Sequence, residues 1–258
     1  MLIRTTALAA LALTAVAQAG LITLTGTVRD FKGAAYGGHA DFEGPCCGDD
    51  RGIVTTTLGP DGKPVYDVAA HATTWSTSGQ ANFDQWYRDT PGVNVSSSYS
   101  ITLDNTGHPD VYTYYNSAFF PVDATPSFGE PLPYGHNYGF TYELNTNFSY
   151  AAGQVFTFSG DDDVWVYING SLVIDLGGVH AEESQSVNLD LLGLTAGSNY
   201  SMDIFFAERH TSGSNFRIET NIASIVTEPE AVPEPGSLAL FGMGVAGLAF
   251  AVARRRKH

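Results

Sequence analysis

The sequence predicts an all-β protein, built as a sandwich or a barrel, with one short helix. Two observations lead to this fold class. Short segments in which apolar and polar residues alternate recur along the chain, and clusters of Gly, Ser, Asn and Asp separate them. Segments of this kind at regular spacing are typical of sandwiches and barrels. The predicted strands are residues 21–25, 27–28, 99–103, 111–115, 138–144, 154–158, 164–168, 172–176, 200–206 and 216–222.

Two local patterns complete the prediction. Asn169 and Gly170 lie between two predicted strands, and this pair accepts the positive φ angles of a type I′ hairpin turn. The predicted helix covers residues 80–88, in which three aromatic residues recur at helical spacing. We interpret these aromatic side chains as part of the core rather than as a platform for a ligand.

The N-terminal segment has the organisation of a secretory signal. Arg4 supplies a positive charge, residues 8–16 form an apolar run, and Ala17-Gln18-Ala19 offers small residues at a cleavage site. The run is too short for a transmembrane helix, which needs about 20 apolar residues. We therefore expect a signal peptide at residues 1–19 and export of the chain; the alternative is a buried N-terminal helix.

The C-terminal segment has three parts. A linker at residues 227–236 contains Pro233-Glu234-Pro235, an uncharged apolar run follows at residues 237–253, and a basic cluster ends the chain at residues 254–258. The run is at the lower limit of length for a membrane-spanning helix, and basic residues favour the cytoplasmic side. We expect a single transmembrane helix at residues 237–253, which anchors the protein in the inner membrane, and a cytoplasmic basic tail.

This end resembles the PEP-CTERM sorting signal of Gram-negative bacteria over residues 232–257. The motif of Pro233, Glu234 and Pro235, the apolar span and the arginine-rich end follow in the same order. The resemblance implies cleavage near the motif by a membrane enzyme, exosortase. It also implies a final destination at the cell surface or in an extracellular matrix of polysaccharide. The alternative is a plain tail anchor.

The segment between the two signals is strongly acidic. Residues 20–227 contain 7 Lys and Arg against 24 Asp and Glu. Such a surface disfavours nucleic acid and anionic lipid, and it suits divalent cations. The two cysteines, Cys46 and Cys47, are adjacent, and in an exported protein we expect them oxidised, with each other or with another chain. A metal site at these cysteines is disfavoured, because His39 and a few acids are the other ligands close to them in sequence.

Three consecutive carboxylates, Asp161, Asp162 and Asp163, lie between the predicted strands 154–158 and 164–168. Adjacent anions repel one another, so the cluster favours a bound hard cation such as Ca²⁺, which takes roughly six to eight oxygen ligands. The spacing differs from that of an EF-hand loop, in which acidic residues alternate. The alternative is a solvated loop in which one aspartate caps a turn.

The acidic run and the segments around it resemble the fibro-slime domain, a relative of the protective-antigen-type, lectin-like β-sandwich (PA-14). The similar segments follow the family's order between residues 28 and 221, with one departure at Ala40, where the family pattern predicts proline. The resemblance implies that residues 20–226 form one PA-14-like β-sandwich. The segments are residues 28–31, 39–43, 61–66, 83–87, 116–121, 158–170, 173–180, 206–210 and 214–216.

The resemblance also implies a cation site. The lectin-like relatives hold Ca²⁺ through two neighbouring aspartates and an asparagine from a second loop, and sugar hydroxyls fill the open positions. Asp161 and Asp162 match the aspartate pair, the second loop corresponds to His210–Asn215, and Asn215 matches the asparagine. Asp163 has no equivalent in many relatives, so it either contributes to ligand binding or caps the next strand.

Three more polar residues belong to the similar segments. His180 follows two glycines and either lines a binding groove or is a hydrogen-bonded structural residue. Glu208 and Arg209 either bind the ligand or form an ion pair that orders the last loop. Together with Asp163 they are the candidate ligand-binding residues.

The sequence lacks the short motifs of serine hydrolases, zinc proteases and phosphate-binding loops. We therefore predict a protein that is not an enzyme, and that binds polysaccharide or a cell-surface glycan through Ca²⁺. A purely structural matrix component without a metal site is the second hypothesis. A glycoside hydrolase is the third, because its paired carboxylates need only meet in space.

The two terminal signals predict the mass of the mature protein. Intact mass spectrometry of the exported form is expected to lack residues 1–19 and the segment that follows Pro235. The matched control is a variant with Pro233, Glu234 and Pro235 changed to alanine, which should keep its C-terminal segment. A full-length wild-type chain in the cytosol would contradict the prediction.

Overall fold

The computed structural model describes residues 20–44, 46–71, 74–124, 128–129 and 131–226. Over these residues the protein is all-β, with thirteen strands and one short α-helix, which confirms the predicted fold class. The strands are β1 (Leu21–Phe31), β2 (Gly48–Asp49), β3 (Asn94–Asp104), β4 (Tyr112–Asn116), β5 (Phe140–Ser149), β6 (Val155–Asp161), β7 (Asp163–Ile168), β8 (Ser171–Leu176), β9 (Gly178–Val179), β10 (Glu183–Asn188), β11 (Asn199–Glu208), β12 (Asn215–Thr220) and β13 (Ile225–Val226). The helix α1 is Gln80–Phe83, and 3₁₀ helices lie at Ala34–Tyr36, Pro133–Gly135 and Leu189–Leu192.

The long strands form one antiparallel sheet that folds over on itself. Their order is β10-β6-β12-β4-β3-β1-β5-β11-β7-β8, with β13 beside β5, and β2 pairs separately with β9. The rings of Phe216 in β12 and Phe206 in β11 are 5.2 Å apart, although these strands are far apart in that order. The two halves of the sheet therefore face each other as a sandwich around a common core.

Strand β7 is buried on both faces. Val164, Val166 and Ile168 point into the main core between the two halves of the sheet. Trp165 and Tyr167, which alternate with them, belong to a second hydrophobic cluster on the other side. A strand with two buried faces reads as a continuous apolar run, and this strand is such a run.

The second cluster is covered by the chain between β1 and β3. Phe42 and Trp86 of this covering segment are fully buried, and the rings of Trp86 and Trp165 lie 6.1 Å apart. The covering segment thereby comes to lie next to the strand ends that carry the three aspartates.

The predicted helix is shorter than expected. It begins at Gln80 but ends at Phe83 rather than at residue 88, and the chain continues through turns in which Trp86 N–H bonds to the Phe83 carbonyl at 3.0 Å. This tighter i→i−3 bonding places both Trp86 and Tyr87 in the interior, where they are at most 1% exposed. The aromatic residues are core residues, as interpreted, but core packing overrides the helical repeat.

Two strands of the main sheet were missed by the sequence pattern, β10 and the two-residue β13. β10 (Glu183–Asn188) has one apolar residue, Val187, so alternation does not mark it. It pairs with β6, and Gln185 accepts a 3.1 Å hydrogen bond from the Asp175 backbone N–H in β8. The two ends of the sheet meet at this point.

The hairpin between β7 and β8 agrees with its prediction. Asn169 and Gly170 have φ angles of 52° and 72° and connect Ile168 to its partner Ser171. The predicted signal peptide, linker, transmembrane helix and basic tail lie outside the described residues, so the predicted domain limits stay predictions. Among the described residues, no helix has the length and apolar character needed to cross a membrane.

Phe119 lies at the centre of the main core and predicts a stability effect. Its ring contacts those of Phe216 at 4.6 Å, Phe206 at 5.7 Å and Tyr99 at 5.8 Å. Phe119→Ala is expected to lower the free energy of unfolding by about 3–5 kcal/mol, because it leaves a cavity. Leu191→Ala, at an 82% exposed position, is the control and should change it by less than about 0.5 kcal/mol. Urea unfolding measures both, and equal effects would contradict the assignment of the core.

Candidate functional site

The three aspartates lie where β6 passes into β7. Asp161 is the last residue of β6, Asp163 is the first residue of β7, and Asp162 connects them. All three are buried: the exposed fraction is 7% for Asp161, 5% for Asp162 and 0% for Asp163. The peptide bond between Asp161 and Asp162 is cis. Because all three side chains are buried, the cluster is a strand junction rather than a solvated loop.

Asn215 lies directly beside Asp161. β12 begins at Asn215, which pairs with Asp161 in the register of β6 and β12. The Asn215 side-chain amide donates a 2.9 Å hydrogen bond to Asp161 Oδ2, and its backbone N–H donates to Oδ1. The structure thus brings together the residues that the sequence proposed as metal ligands.

Asp162 is held from below by the backbone that follows β11. Its Oδ2 accepts hydrogen bonds from the backbone N–H groups of Arg209 at 3.0 Å and His210 at 3.1 Å. Burial raises the pKa of Asp162 to about 8, against the opposing effect of the Arg209 charge. The ionised form of this carboxylate is therefore costly unless a positive charge joins it.

Asp163 and Arg209 form a buried ion pair that points away from the other two aspartates. Arg209 Nε donates to Asp163 Oδ2 at 2.6 Å, and both side chains are fully buried. The Gly178 N–H donates to Asp163 Oδ1 at 2.7 Å, while the guanidinium lies 4.6 Å from the centre of the Trp86 ring. Neither side chain reaches solvent, so the pair joins β7 to the covering segment and supports the site from behind.

Glu208 is a buried carboxylate with an unused oxygen. Its Oε1 accepts the His210 N–H at 3.4 Å, the same N–H that bonds to Asp162, and Oε2 has no hydrogen-bond partner among the described residues. Burial, together with the charges of Asp162 and Asp161, raises the pKa of Glu208 well above its ordinary value. Three acidic groups thus share this region, while Arg209 is engaged by Asp163.

A cavity of about 430 Å³ opens above these groups. Asp161, Asp162 and Asn215 form its polar floor, and His180 lies in its wall. The His180 ring nitrogens bond to the carbonyls of Ala181 at 2.8 Å and Leu176 at 3.2 Å, so the ring is held by the backbone. The candidate residues that line the cavity are therefore Asp161, Asp162, His180 and Asn215. The other three, Asp163, Glu208 and Arg209, lie beneath it.

Sequence reasoning missed several residues of the cavity wall. Cys47, Val179 and Glu182 line it together with the four residues above, and so does His210, which the sequence placed in the second loop of the site. His210 stands within a segment that carries the family resemblance, and the loop from this residue to Asn215 is the second loop expected from it. Cys47 has no such signal, because it reaches the cavity through the covering segment, far away in sequence.

The cysteines have a histidine neighbour that sequence distance hides. The sulfur atoms of Cys46 and Cys47 and a ring nitrogen of His210 lie within 4.8 Å of one another, and in the described part of the chain this is the single group of three such ligands. The two cysteines are bonded to each other as a disulfide, so neither offers a thiolate to a metal.

Comparison with protein families identifies two parts of the chain. Residues 127–229 match the family described as PA14 domain, and residues 231–257 match the PEP-CTERM protein-sorting motif. These two matches confirm the resemblance of the chain to both families. The motif implies export and processing at the membrane.

Curated relatives of this chain include psi proteins of Dictyostelium discoideum. Protein psiR is 41% identical over 202 residues, which are 72% of this chain and 20% of psiR. Protein psiC is 36% identical over 223 residues, which are 81% of this chain and 43% of psiC. The chain thus spans less than half the length of these relatives.

Solved structures resemble it more distantly. A PA14 sugar-binding domain from an RTX adhesin is 16% identical, with a TM-score of 0.29, over 43% of this chain and 70% of the adhesin chain. An epithelial adhesin A domain from Candida glabrata, in complex with β-lactose, is 12% identical, with a TM-score of 0.30, over 80% of this chain and 84% of that chain. Scores this low carry no argument about this chain's ligand.

The raised pKa of Asp162 predicts how stability depends on pH without metal. Its pKa is about 8 in the folded state and about 3.9 in an unfolded chain. Between these values the folded state binds a proton that the unfolded state lacks, so this residue makes stability fall as pH rises, by on the order of 1 kcal/mol per pH unit. In EDTA, the stability of Asp162→Asn relative to wild type should therefore increase from about pH 5 to about pH 8.

Urea unfolding at several pH values measures this difference. Asp110→Asn, at an exposed aspartate, is the control and should follow the wild type at every pH. A constant difference between Asp162→Asn and wild type across the range would contradict the prediction.

Proposed function

We propose that this protein is an exported surface or matrix protein that binds carbohydrate through a Ca²⁺ ion held by Asp161, Asp162 and Asn215. The observation that carries the proposal is the cavity at the end of β6. Two buried carboxylates and an amide meet there, and the described lining contains no lysine or arginine. The sorting motif at residues 231–257 supports the exported location.

The residues at this site fit a calcium ion. Carboxylate and amide oxygens are the ligands that Ca²⁺ prefers. The buried Glu208, whose Oε2 lacks a hydrogen-bond partner among the described residues, lies near Asp162, and burial raises the pKa values of both carboxyls. A divalent cation would stabilise the ionised forms of these carboxyls. When bound, it supplies open coordination positions for further oxygen ligands.

The cavity also suits a sugar. Its volume of about 430 Å³ lies at the small end of the range for ligand sites. Pairs of sugar hydroxyls can complete the oxygen shell of a calcium ion, and Thr211, Ser212 and Glu182 offer polar groups at the wall. The lectin-like members of the family that the sequence resembles bind sugar in this way, which supports the proposal. We expect weak affinity at each site, strengthened by avidity between many copies on a surface.

The test combines metal binding with retention on polysaccharide. Ca²⁺ binds the folded state, so it should raise the melting temperature of the purified full chain, by an amount equivalent to about 2.7 kcal/mol at a concentration 100 times the Kd. The chain should also be retained on polysaccharide beads in Ca²⁺ and released by EDTA. Asp162→Ala should abolish both responses, and Asp110→Ala, at an exposed position, should keep both.

The same assay separates the other two hypotheses. Equal melting in Ca²⁺ and in chelator, without retention on any glycan, would favour a purely structural matrix component. Release of reducing sugar that survives Asp162→Ala, and that is lost when another carboxylate is changed, would favour a glycoside hydrolase.

A further inference from the structure

The disulfide between Cys46 and Cys47 lies in the wall of the carboxylate cavity. Cys47 lines the cavity together with Asp161 and Asp162, and both sulfur atoms lie within 4.8 Å of a ring nitrogen of His210, another residue of the wall. The disulfide comes from the covering segment, more than 100 residues before the aspartates in the chain. It is therefore placed at the cavity by tertiary structure rather than by a local turn.

Backbone hydrogen bonds hold the disulfide loop at this position. β2, which follows Cys47 directly, pairs with β9, and the Asp50 N–H donates a 2.7 Å bond to the Gly177 carbonyl. Gly178 in β9 has a φ angle of +129°, and a Cβ atom there would lie 2.2 Å from the Gly48 carbonyl oxygen. The glycine thus permits the close approach of β2 to β9, which leads into the cavity wall at Val179 and His180.

The ion pair of Arg51 adds a side-chain contact to this loop. The Arg51 guanidinium bonds to Asp49 on its own loop at 3.2 Å and to Glu183 at the start of β10. Since Glu182 lines the cavity, the loop of the disulfide and the segment from Val179 to Glu183 form one connected side of the site. The sulfur atoms belong to this side.

A disulfide differs chemically from the rest of the lining. It has no N–H or O–H donor and presents polarisable sulfur, whereas the floor of the cavity consists of carboxylates and an amide. A pyranose has the complementary arrangement, because its hydroxyls lie at the edge of the ring and its C–H groups lie on the faces. A cation at the floor would take the hydroxyls and leave a C–H face to meet an apolar wall.

We propose that the Cys46–Cys47 disulfide is a specificity-determining element of the site, the apolar wall against which a C–H face of the bound sugar packs. This inference rests on the proposed function, since it requires that the cavity binds sugar. It separates two roles within the cavity: the carboxylates bind the cation, and the disulfide selects the ligand that the cation holds. Loss of the disulfide should weaken sugar binding and leave cation binding unchanged.

The experiment compares the oxidised full chain, the chain reduced by a phosphine, and the double variants Cys46→Ser/Cys47→Ser and Cys46→Ala/Cys47→Ala. In the reduction the S–S bond breaks and two thiols form. The phosphine supplies the electron pair, water supplies the two protons and the oxygen atom, and the phosphine leaves as phosphine oxide. The probes are Ca²⁺ alone, followed by the melting temperature, and dextran, galactan and mannan beads. We expect the Ca²⁺ concentration at half-effect to stay within about twofold in every form, and retention on the best-bound polysaccharide to weaken about tenfold or more when the disulfide is absent.

A second measurement distinguishes direct contact from an effect on the loop. Hydrogen exchange reports the Asp50 amide, which bonds to Gly177 and marks the pairing of β2 with β9. Unchanged Asp50 protection together with weakened retention supports the proposal. Unchanged retention without the disulfide overturns it, and so does weakened retention accompanied by loss of Asp50 protection, because the disulfide would then act only by ordering the loop. A wild-type chain that binds Ca²⁺ but none of the polysaccharides refutes this inference together with the sugar-binding part of the proposed function.

Discussion

Arg209 carries its charge into the interior of the protein, and much of the structure around it is arranged to accept that charge. Asp163 bonds to Nε, and the Ser76 side chain and backbone carbonyl bond to the terminal nitrogens. The Trp86 ring packs against the guanidinium at 4.6 Å. Removing one partner of such a pair typically costs about 3–5 kcal/mol, because a buried charge is then left alone. The pair therefore connects β7, the end of β11 and the covering segment into one unit.

This pairing also determines the charge of the cavity. Asp163 forms an ion pair with Arg209, and as the first residue of β7 it points toward the second hydrophobic cluster. Asp162 and Asp161 precede it and face the cavity, where the described lining offers them no lysine or arginine. The backbone N–H groups of Arg209 and His210 hold Asp162 in place but supply no full charge. One ion pair thus supports the fold and leaves the neighbouring carboxylates available to a cation.

The covering segment links the fold to the wall of the candidate site. It closes the outer face of β7 and β11 with aromatic residues, and the same excursion brings Cys46 and Cys47 to the cavity. Under the proposed function, a lectin-like sandwich can in this way change its ligand by changing a peripheral loop, while the strand junction proposed to bind the cation stays the same. Binding residues on loops that a rigid scaffold positions are a general feature of proteins.

Much of the fold followed from the sequence, because the signals were local. Alternating residues marked nine of the longer strands, and Asn169-Gly170 marked the hairpin between β7 and β8. Strand β10 was missed because five of its six residues are polar, so residue types do not alternate along it although burial does. Helix α1 ends early because Trp86 and Tyr87 pack into the core. Residue types likewise pointed to Asp161 and Asp162, and the family resemblance added Asn215.

The sequence by itself therefore determined the β architecture, the sorting motif and the acidic residues of the candidate site. The tertiary structure alone decided which acid is paired with a buried arginine and which acids face the cavity. Asp163 is paired with an arginine 46 residues away, and Glu208 is buried without a partner for Oε2 in the described part of the chain. It also decided that Cys47 lines the cavity, more than 100 residues before the aspartates. The physical reason is that strand alternation is set by neighbours along the chain, whereas burial and charge pairing depend on which distant segments pack together.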